Sequence, residues 1–174
     1  MNVLVVISAF MICWLTLVWL LRRGYLPMDH PNERSLHGTP TPRIGGLGIM
    51  AGVVVASVWL ADGMLLPPIL AAFALAVLSL LDDVRSLPVV VRFLAHFVAA
   101  VACLLGLGLT GWGLVGATLA VVWMTNLYNF MDGADGLAGG MASIGFAALA
   151  LAAWLGGALG LASFCAVIAA AALA

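Results

Sequence analysis

The chain of 174 residues is 66% hydrophobic and 7% charged, and its formal net charge is −1. A soluble domain carries roughly 25% charged residues, so this composition excludes an ordinary soluble domain and indicates an integral membrane protein. All six positive residues are arginine. They form no basic patch that could neutralise a run of phosphates, so we expect no nucleic-acid partner.

Seven apolar runs follow one another along the chain and predict membrane helices. A hydrocarbon core about 30 Å thick takes about 20 helical residues, so the shorter runs should end in the interface. We therefore predict an all-α fold, a polytopic transmembrane bundle of about six to seven helices, with residues 1–174 as a single membrane domain. The runs are Asn2–Leu21, Ile44–Ala61, Leu65–Leu81, Phe93–Leu109, Leu114–Met124, one from Met141 to beyond Gly157, and Leu161–Ala174.

Arg22 and Arg23 follow the first apolar run, and no positive residue precedes it. A cleavable signal peptide has the opposite order, so we interpret this run as a membrane anchor with the amino terminus outside. If the later runs cross alternately, all six arginines fall on the cytoplasmic side. This agreement with the positive-inside rule predicts that three polar loops share the cytoplasmic face: Arg22–Arg43, Asp82–Arg92 and Asn126–Gly140.

The first polar loop contains HPNERSLHGTPTPRIGG, whose three prolines prevent a regular helix. Several of its side chains are hydrogen-bond donors suited to an anionic substrate, and arginine in particular matches phosphate oxygens. The alternative is that the arginines are topological anchors and the histidine is a surface residue. The candidate substrate-binding residues are Asn32, Arg34, His37 and Arg43.

The second loop begins with adjacent carboxylates, Asp82 and Asp83, directly after a long apolar segment. Two like charges about 4 Å apart repel by about 4 kcal/mol at an effective dielectric near 20, so the pair suggests a bound cation or phosphate chemistry. The alternative is that both are solvated in the membrane interface. His96 lies four residues after Arg92, and it either lines this site or hydrogen-bonds between helices.

The third polar stretch, NLYNFMDGADGLAGG, separates two long apolar segments. Its carboxamides lie three residues apart, as do its carboxylates, so on a helix each pair would share one face. A glycine follows each carboxylate, which predicts a tight polar loop where a cation or phosphate can approach closely. The residues concerned are Asn126, Asn129, Asp132, Gly133, Asp135 and Gly136.

Four carboxylates converging from two loops predict a divalent cation, a phosphate chemistry, or both. The donors are oxygen atoms without clustered cysteine or histidine, which favours Mg²⁺ or Mn²⁺ over zinc.

Together the three loops resemble the polyprenyl-phosphate N-acetylhexosamine-1-phosphate transferase superfamily, which is glycosyl transferase family 4. The resemblance rests on PNERSLHGTPTPRIGG, LLDDVRSLPVVVRFLAH and NLYNFMDGADGLAGG, in the family's order, from Asp29 to Gly140. The PTPR and NFMDG forms look closer to the branch that transfers N-acetylglucosamine 1-phosphate for O-antigen and similar polymers. The alternative branch moves phospho-N-acetylmuramoyl-pentapeptide for peptidoglycan.

The resemblance implies a reaction and a location. Undecaprenyl phosphate attacks the β-phosphate of a UDP-N-acetylhexosamine and gives undecaprenyl-diphospho-sugar and UMP, with Mg²⁺ required. The enzyme would lie among the lipids of the bacterial inner membrane with its active face in the cytoplasm. Lipid-facing helices leave its oligomeric state open, a homodimer included.

The resemblance also implies residue roles. Asp82 resembles the proposed base or lipid-phosphate positioner, with Asp83 beside it near the metal. Asn129 resembles a metal ligand, and Arg43 would meet a phosphate. The residues that resemble the lining of the nucleotide pocket are Asp132 and Asp135.

Two departures from the family pattern stand out. His96 occupies a position where many relatives have glutamine. The family's later Gly-Asp-x-Gly-Ser element, which supplies a further metal ligand, is absent from these 174 residues. We therefore expect this chain to be a truncated amino-terminal portion of a longer transferase that inserts into a membrane but does not catalyse alone.

Three functions outside this family compete with it. A cation or proton transporter also carries intramembrane acids, but its site lies near the midplane rather than at helix ends. A CDP-alcohol phosphotransferase has a different continuation after its Asp-Gly motif. An inactive membrane scaffold is the third alternative.

Overall fold

The computed structural model describes residues 3–24, 28–29, 40–42, 44–60, 63–131 and 136–174. Within these residues the fold is a set of α-helices with one pair of two-residue strands. The strands β1 (Met28–Asp29) and β2 (Thr41–Pro42) are antiparallel, with Met28 opposite Pro42. The helices are α1 (Val3–Arg23), α2 (Gly45–Leu60), α3 (Leu66–Arg85), α4 (Val89–Gly106), α5 (Gly111–Met131), α6 (Leu137–Leu155) and α7 (Leu159–Leu173).

Each of the seven predicted apolar runs forms a helix, so the all-α prediction is confirmed. Four of the helices are long and apolar enough to cross a membrane: Val3–Arg23, Leu66–Asp83, Val89–Gly106 and Leu137–Leu155. Helices α2 and α7 are shorter, at 16 and 15 residues. The strand pair was not predicted, because two residues are too few to show a period.

The helices fall into two compact units. The first unit comprises Met1–Asp62 and Asp132–Ala174, and the second comprises Gly63–Met131. In the first unit, α7 packs against α1, α2 and α6. Small side chains dominate its buried positions, and Phe164 is the largest of them. In lipid, helices associate through such close packing because the hydrocarbon offers no hydrophobic driving force between them.

Helices α1 and α2 are in close contact at two glycines spaced four residues apart. A Cβ atom on Gly52 would lie 2.6 Å from the main-chain oxygen of Ala9. A Cβ atom on Gly48 would lie 2.6 Å from Cγ of Leu17 and 3.1 Å from Sγ of Cys13. The pair is therefore a small-xxx-small contact in which the missing side chains allow the two backbones to meet.

In the second unit, α3 packs against α4, and α4 packs against α5. Proline in the first turn starts α3, where the missing N–H costs nothing. Helices α3 and α4 also meet at the far end from the polar residues, where a Cβ on Gly106 would lie 2.9 Å from the ring of Pro67. This glycine lets the two helices converge at that end.

Helix α3 is longer than predicted and includes both members of the acidic pair. The sequence placed Asp82–Arg92 in a loop, but the helix continues to Arg85. It ends where Ser86 adopts a left-handed conformation, with φ 48°, and donates its N–H to the main-chain oxygen of Asp82 at 2.7 Å. Pro88 then starts α4. The loop between α3 and α4 is therefore only three residues, Ser86–Pro88.

Helix α5 also extends beyond its predicted apolar run, from Met124 to Met131. Two polar side chains in this extension donate to the preceding turn of the same helix. Thr125 Oγ1 donates to the oxygen of Val121 at 2.8 Å, and Asn126 Nδ2 donates to the oxygen of Val122 at 2.8 Å. Such bonds to the preceding turn allow polar residues to remain helical. Both asparagines of the polar stretch therefore lie on α5.

Candidate active site

A cavity of about 210 Å³ lies among α3, α4 and α5, at the end of the second unit where α3 ends and α4 begins. One side of its lining is polar, with a carboxylate, a guanidinium, an imidazole and two carboxamides. The lining residues are Leu75, Leu78, Ser79, Asp82, Val89, Arg92, Phe93, His96, Asn126 and Asn129.

The spacing of these residues explains why they share one cavity. The four from α3 occupy positions i, i+3, i+4 and i+7, and the four from α4 repeat the same spacing. Residues so spaced form one stripe along a helix. On α5, Asn126 and Asn129 are three apart and likewise share a face, as predicted. Each helix therefore turns a single stripe toward the cavity, and the polar residues lie at one end of it.

Asp82 accepts three hydrogen bonds, two from the turn that follows α3 and one from the first turn of α4. Its main-chain oxygen accepts from Ser86 N at 2.7 Å, and its Oδ1 accepts from Leu87 N at 2.7 Å. Its Oδ2 accepts from Nη1 of Arg92 at 2.9 Å. The carboxylate therefore fastens the turn between α3 and α4, and both of its oxygens already accept one bond each.

Arg92 and Asp82 form an ion pair that stays accessible to solvent. Their side chains are 39% and 23% exposed, respectively. A pair exposed to this degree contributes little stability, about 0–1 kcal/mol, because water screens it. Its main effect is on position, since it places a guanidinium beside the carboxylate on the cavity wall.

His96 lies one turn further along α4 on the same stripe. Its Nδ1 is buried and has no hydrogen-bond partner among the described residues. Among the described residues, Nδ1 of His96 therefore makes no hydrogen bond between helices, which was one of the two interpretations of this residue. The other interpretation, that His96 lines the site, agrees with its place in the cavity.

Asp83, the other predicted acid of this pair, is not among the residues that line the cavity. Adjacent residues on an α-helix point about 100° apart, so two neighbours rarely share one wall. The structure thus brings together Asp82, Asn126 and Asn129, and sets Asp83 on a different face of α3.

Gly136, in the first unit, adopts a left-handed conformation with φ 71° just before α6.

The remaining predicted site residues lie outside the part of the chain that the structure describes. The convergence of the two acidic loops on one metal and phosphate site therefore stays a prediction. These residues are Asn32, Arg34, His37, Arg43, Asp132, Gly133 and Asp135.

The cavity also contains residues that the sequence did not single out as a site. Arg92, predicted as one of the cytoplasmic arginines, and Ser79 are not among the predicted site residues. The signal was present in the sequence: Ser79 precedes Asp82 by three residues, and Arg92 follows Val89 by three. The i, i+3, i+4, i+7 stripe through Asp82 contains Ser79, and the equivalent stripe through His96 contains Arg92.

The described residues bear on whether a divalent cation fits this site. They contain no group of three or more histidine, cysteine or acidic residues close enough to hold a metal ion. The cavity does offer oxygen donors, namely the Asp82 carboxylate and the carboxamides of Asn126 and Asn129. Oxygen is the ligand type that Mg²⁺ prefers, and an ionised carboxylate has about four acceptor sites, of which two are used here. By donor type, these residues fit Mg²⁺.

The family model for glycosyl transferase family 4 matches residues 65–174, which include all three helices around the cavity. The chain therefore belongs to glycosyl transferase family 4, and the predicted resemblance is confirmed. It is a membrane-helix protein of that family, with a polar cavity at one end of α3, α4 and α5.

Curated relatives support the same family. The chain is 33% identical over 151 residues to the probable undecaprenyl-phosphate N-acetylglucosaminyl 1-phosphate transferase of Bacillus subtilis, covering 75% of this chain and 41% of the relative. It is 32% identical over 158 residues to the undecaprenyl-phosphate alpha-N-acetylglucosaminyl 1-phosphate transferase of Salmonella typhimurium, covering 79% and 42%. It is 33% identical over 159 residues to the decaprenyl-phosphate N-acetylglucosaminephosphotransferase of Mycobacterium leprae, covering 74% and 39%.

The chain thus spans about two fifths of the length of the curated relatives it matches. No solved structure matches it.

Proposed function

We propose that the protein containing this chain transfers N-acetylglucosamine 1-phosphate, or a related N-acetylhexosamine 1-phosphate, from a UDP-sugar to undecaprenyl phosphate. The observation that carries the proposal is the cavity lined by Asp82, Arg92 and Asn129, in a chain whose relatives are named for this transfer. The product, undecaprenyl-diphospho-sugar, would initiate a lipid-linked glycan such as the O-antigen of lipopolysaccharide.

In this reaction an oxygen of the lipid phosphate forms a bond to the β-phosphorus of the UDP-sugar. The bond from that phosphorus to the bridging oxygen breaks, and UMP leaves with the electron pair. Because two anions must meet at one phosphorus, the site has to offset charge and align the two phosphates. Arg92 supplies a guanidinium for the first task, and the carboxamides of Asn126 and Asn129 supply polar contacts for the second.

Asp82 is the proposed base or positioner of the lipid phosphate. Its turn holds the carboxylate through the N–H of Leu87 at 2.7 Å, so the group is oriented before any substrate binds. An oriented carboxylate loses little entropy when it acts on a substrate. We propose Asp83, Asp132 and Asp135 as further catalytic residues, the last two in the nucleotide pocket.

We further propose that the enzyme uses Mg²⁺, or Mn²⁺ in its place. Asn129 would hold the ion together with the Asp82 carboxylate of the same cavity, and the ion would supply positive charge against the phosphate oxygens. Asp83, the acid that the sequence suggested for this role, lies on a different face of α3. The substrate-binding residues of the first loop would be Asn32, Arg34, His37 and Arg43, joined by Asn126, Gly133 and Gly136. The active face would be cytoplasmic, on the bacterial inner membrane, where UDP-sugars are available.

The test measures undecaprenyl-diphospho-sugar in membranes that contain the complete protein, supplied with UDP-N-acetylglucosamine and undecaprenyl phosphate. Product should require both substrates and a divalent cation, and it should fall when Asp82 is changed to Asn. Activity with UDP-N-acetylmuramoyl-pentapeptide as donor, and none with UDP-N-acetylglucosamine, would instead favour the peptidoglycan branch. Since the chain spans about two fifths of its relatives, we expect the 174 residues by themselves to give no product.

A further inference from the structure

The ion pair of Asp82 and Arg92 is held unequally at its two ends. Asp82 is anchored without Arg92, because Leu87 N donates to its Oδ1 at 2.7 Å. Among the described residues, the Arg92 side chain has one partner, Oδ2 of Asp82, which it meets through Nη1 at 2.9 Å. A guanidinium carries five N–H donors, so most of its hydrogen-bonding capacity is unused in this arrangement. The Asp82 carboxylate therefore stays in place without Arg92, whereas the Arg92 side chain is held only by its contact with Asp82 among the described residues.

The position of Arg92 on its helix favours an additional anion. Arg92 lies in the first turn of α4, and Pro88 caps that helix without a side-chain hydrogen bond. The amino-terminal end of a helix dipole attracts negative charge and opposes a cation. The Arg92 side chain is also 39% exposed and borders the cavity, so an anion entering the cavity can reach it. Phosphate suits this position because guanidinium can bind it through two parallel hydrogen bonds.

We propose that Arg92 is a phosphate-binding residue that exchanges partners, pairing with Asp82 before substrate binds and with a substrate phosphate afterwards. The proposal rests on the proposed function, because it takes the incoming anion to be a phosphate. The exchange has a second effect. When Arg92 turns away, Oδ2 of Asp82 loses its hydrogen bond, while Oδ1 remains held by Leu87. The free oxygen thereby becomes available as the phosphate arrives.

Two substrates could supply the phosphate, the acceptor lipid or the nucleotide sugar. Leu75, Leu78, Val89 and Phe93 line the same cavity, and an alkyl chain would contact them favourably. The test therefore has three arms: dodecyl phosphate for the lipid headgroup, UDP-N-acetylglucosamine for the nucleotide, and inorganic phosphate for the anion alone.

The experiment measures the dissociation constant of each probe for the complete protein in dodecyl maltoside micelles by titration calorimetry. Arg92→Gln should weaken binding of the phosphate probe about tenfold or more, as expected for loss of a hydrogen bond to a charged group. Asp82→Asn should strengthen binding about twofold to fivefold, the range for releasing a partly exposed ion pair. Asparagine keeps an oxygen that can accept from Leu87 N, so the turn should remain intact.

The opposite signs separate partner exchange from a structural role. If the ion pair only supported the fold, both substitutions would weaken binding, or neither would change it, and either result overturns the proposal. The double variant tests the coupling: with Gln at position 92, Asp82→Asn should give no gain. A gain that persists there would come from general charge repulsion and would also overturn the proposal.

Arg85→Gln is the matched control, since Arg85 is an exposed arginine in the last turn of α3 and should leave binding unchanged. Arg92→Lys is a second test variant if Arg92→Gln folds poorly. Lysine keeps the positive charge but cannot form the two parallel hydrogen bonds of a guanidinium to phosphate. This variant should bind the phosphate probe more weakly than the original chain; unchanged or stronger binding contradicts the proposal. The phosphate source is identified by the probe whose binding is weakened by Arg92→Gln and strengthened by Asp82→Asn. Failure of the transfer assay would leave these binding results unaffected, so the two proposals fail separately.

Discussion

Nη1 of Arg92 donates to Oδ2 of Asp82 at 2.9 Å, and this contact joins the first turn of α4 to the last turn of α3. Leu87, in the turn between the helices, holds the other oxygen of the same carboxylate at 2.7 Å. One acidic residue thus organises the helix junction and also lines the cavity. Asparagine at this position keeps an oxygen that can accept from Leu87 N, so Asp82→Asn should change the chemistry of the site while the turn remains in place.

We predict that Asp82→Asn lowers kcat of the complete enzyme by about a hundredfold or more, the usual minimum for loss of an acid–base group. The KM for UDP-sugar should change little, because the carboxylate would act on the lipid phosphate. Steady-state kinetics at saturating undecaprenyl phosphate measure both constants. Equal losses in turnover and in UDP-sugar binding would mean that Asp82 supports the fold or uniform binding instead.

The helix contact at Gly52 gives a stability prediction. Gly52→Ala would place Cβ 2.6 Å from the main-chain oxygen of Ala9, and a backbone atom cannot rotate away. We expect the substitution to lower the free energy of unfolding by about 1–3 kcal/mol, as overpacking commonly does. Thermal unfolding in detergent, followed by circular dichroism, measures the change.

The control for that substitution is Gly145→Ala, in the middle of α6, where a Cβ would meet nothing within 4 Å. Alanine there should be neutral or stabilising by roughly 0.5–1 kcal/mol, because glycine loses more entropy in a helix. If both alanine substitutions had the same effect, α1 and α2 would not be in the close contact described.

Replacing His96 by an apolar residue should not lower the stability of the folded protein. Its Nδ1 is buried without a partner among the described residues, and such a group costs about 1–3 kcal/mol relative to a satisfied one. We therefore expect His96→Leu to leave the unfolding midpoint unchanged or to raise it. A clear loss of stability in chemical denaturation would reveal a partner for His96 elsewhere in the protein.

Much of the helical framework could be predicted from the sequence because apolar runs in lipid have few alternatives: every backbone polar group must be satisfied within the segment. The helix ends were harder to predict. Hydropathy falls at the first charge, which predicts that Asp82 and Asp83 lie beyond α3. The helix ends instead at Ser86, where the backbone changes hand and Pro88 follows.

The site was partly predictable for a related reason. Asp82, Asn126 and Asn129 were found because charged and carboxamide groups are rare among apolar residues, and the structure places all three on one cavity. Arg92 was overlooked because an arginine near a membrane surface has an ordinary topological explanation. Its pairing with Asp82, ten residues earlier in the chain, is a contact that composition does not reveal.

The predicted topology has a direct test by cysteine labelling. The native cysteines, Cys13, Cys103 and Cys165, are free thiols and should first be replaced by alanine or serine. A cysteine introduced at Asn2 should then react with an impermeant reagent from outside intact cells, and one at Ser35 only after the membrane is opened. We base this on the distribution of the six arginines. The reverse labelling pattern would overturn the assigned orientation.

The central claim, transfer of a sugar phosphate rather than a sugar, is tested most directly by following the β-phosphate of the donor. UDP-N-acetylglucosamine labelled with ³²P at that phosphate is incubated with undecaprenyl phosphate and membranes that contain the complete protein. We predict that the label moves to the lipid product together with the sugar and that unlabelled UMP is released. If the label remained on the released nucleotide as UDP, the enzyme would transfer the sugar alone, and the proposed function would be wrong.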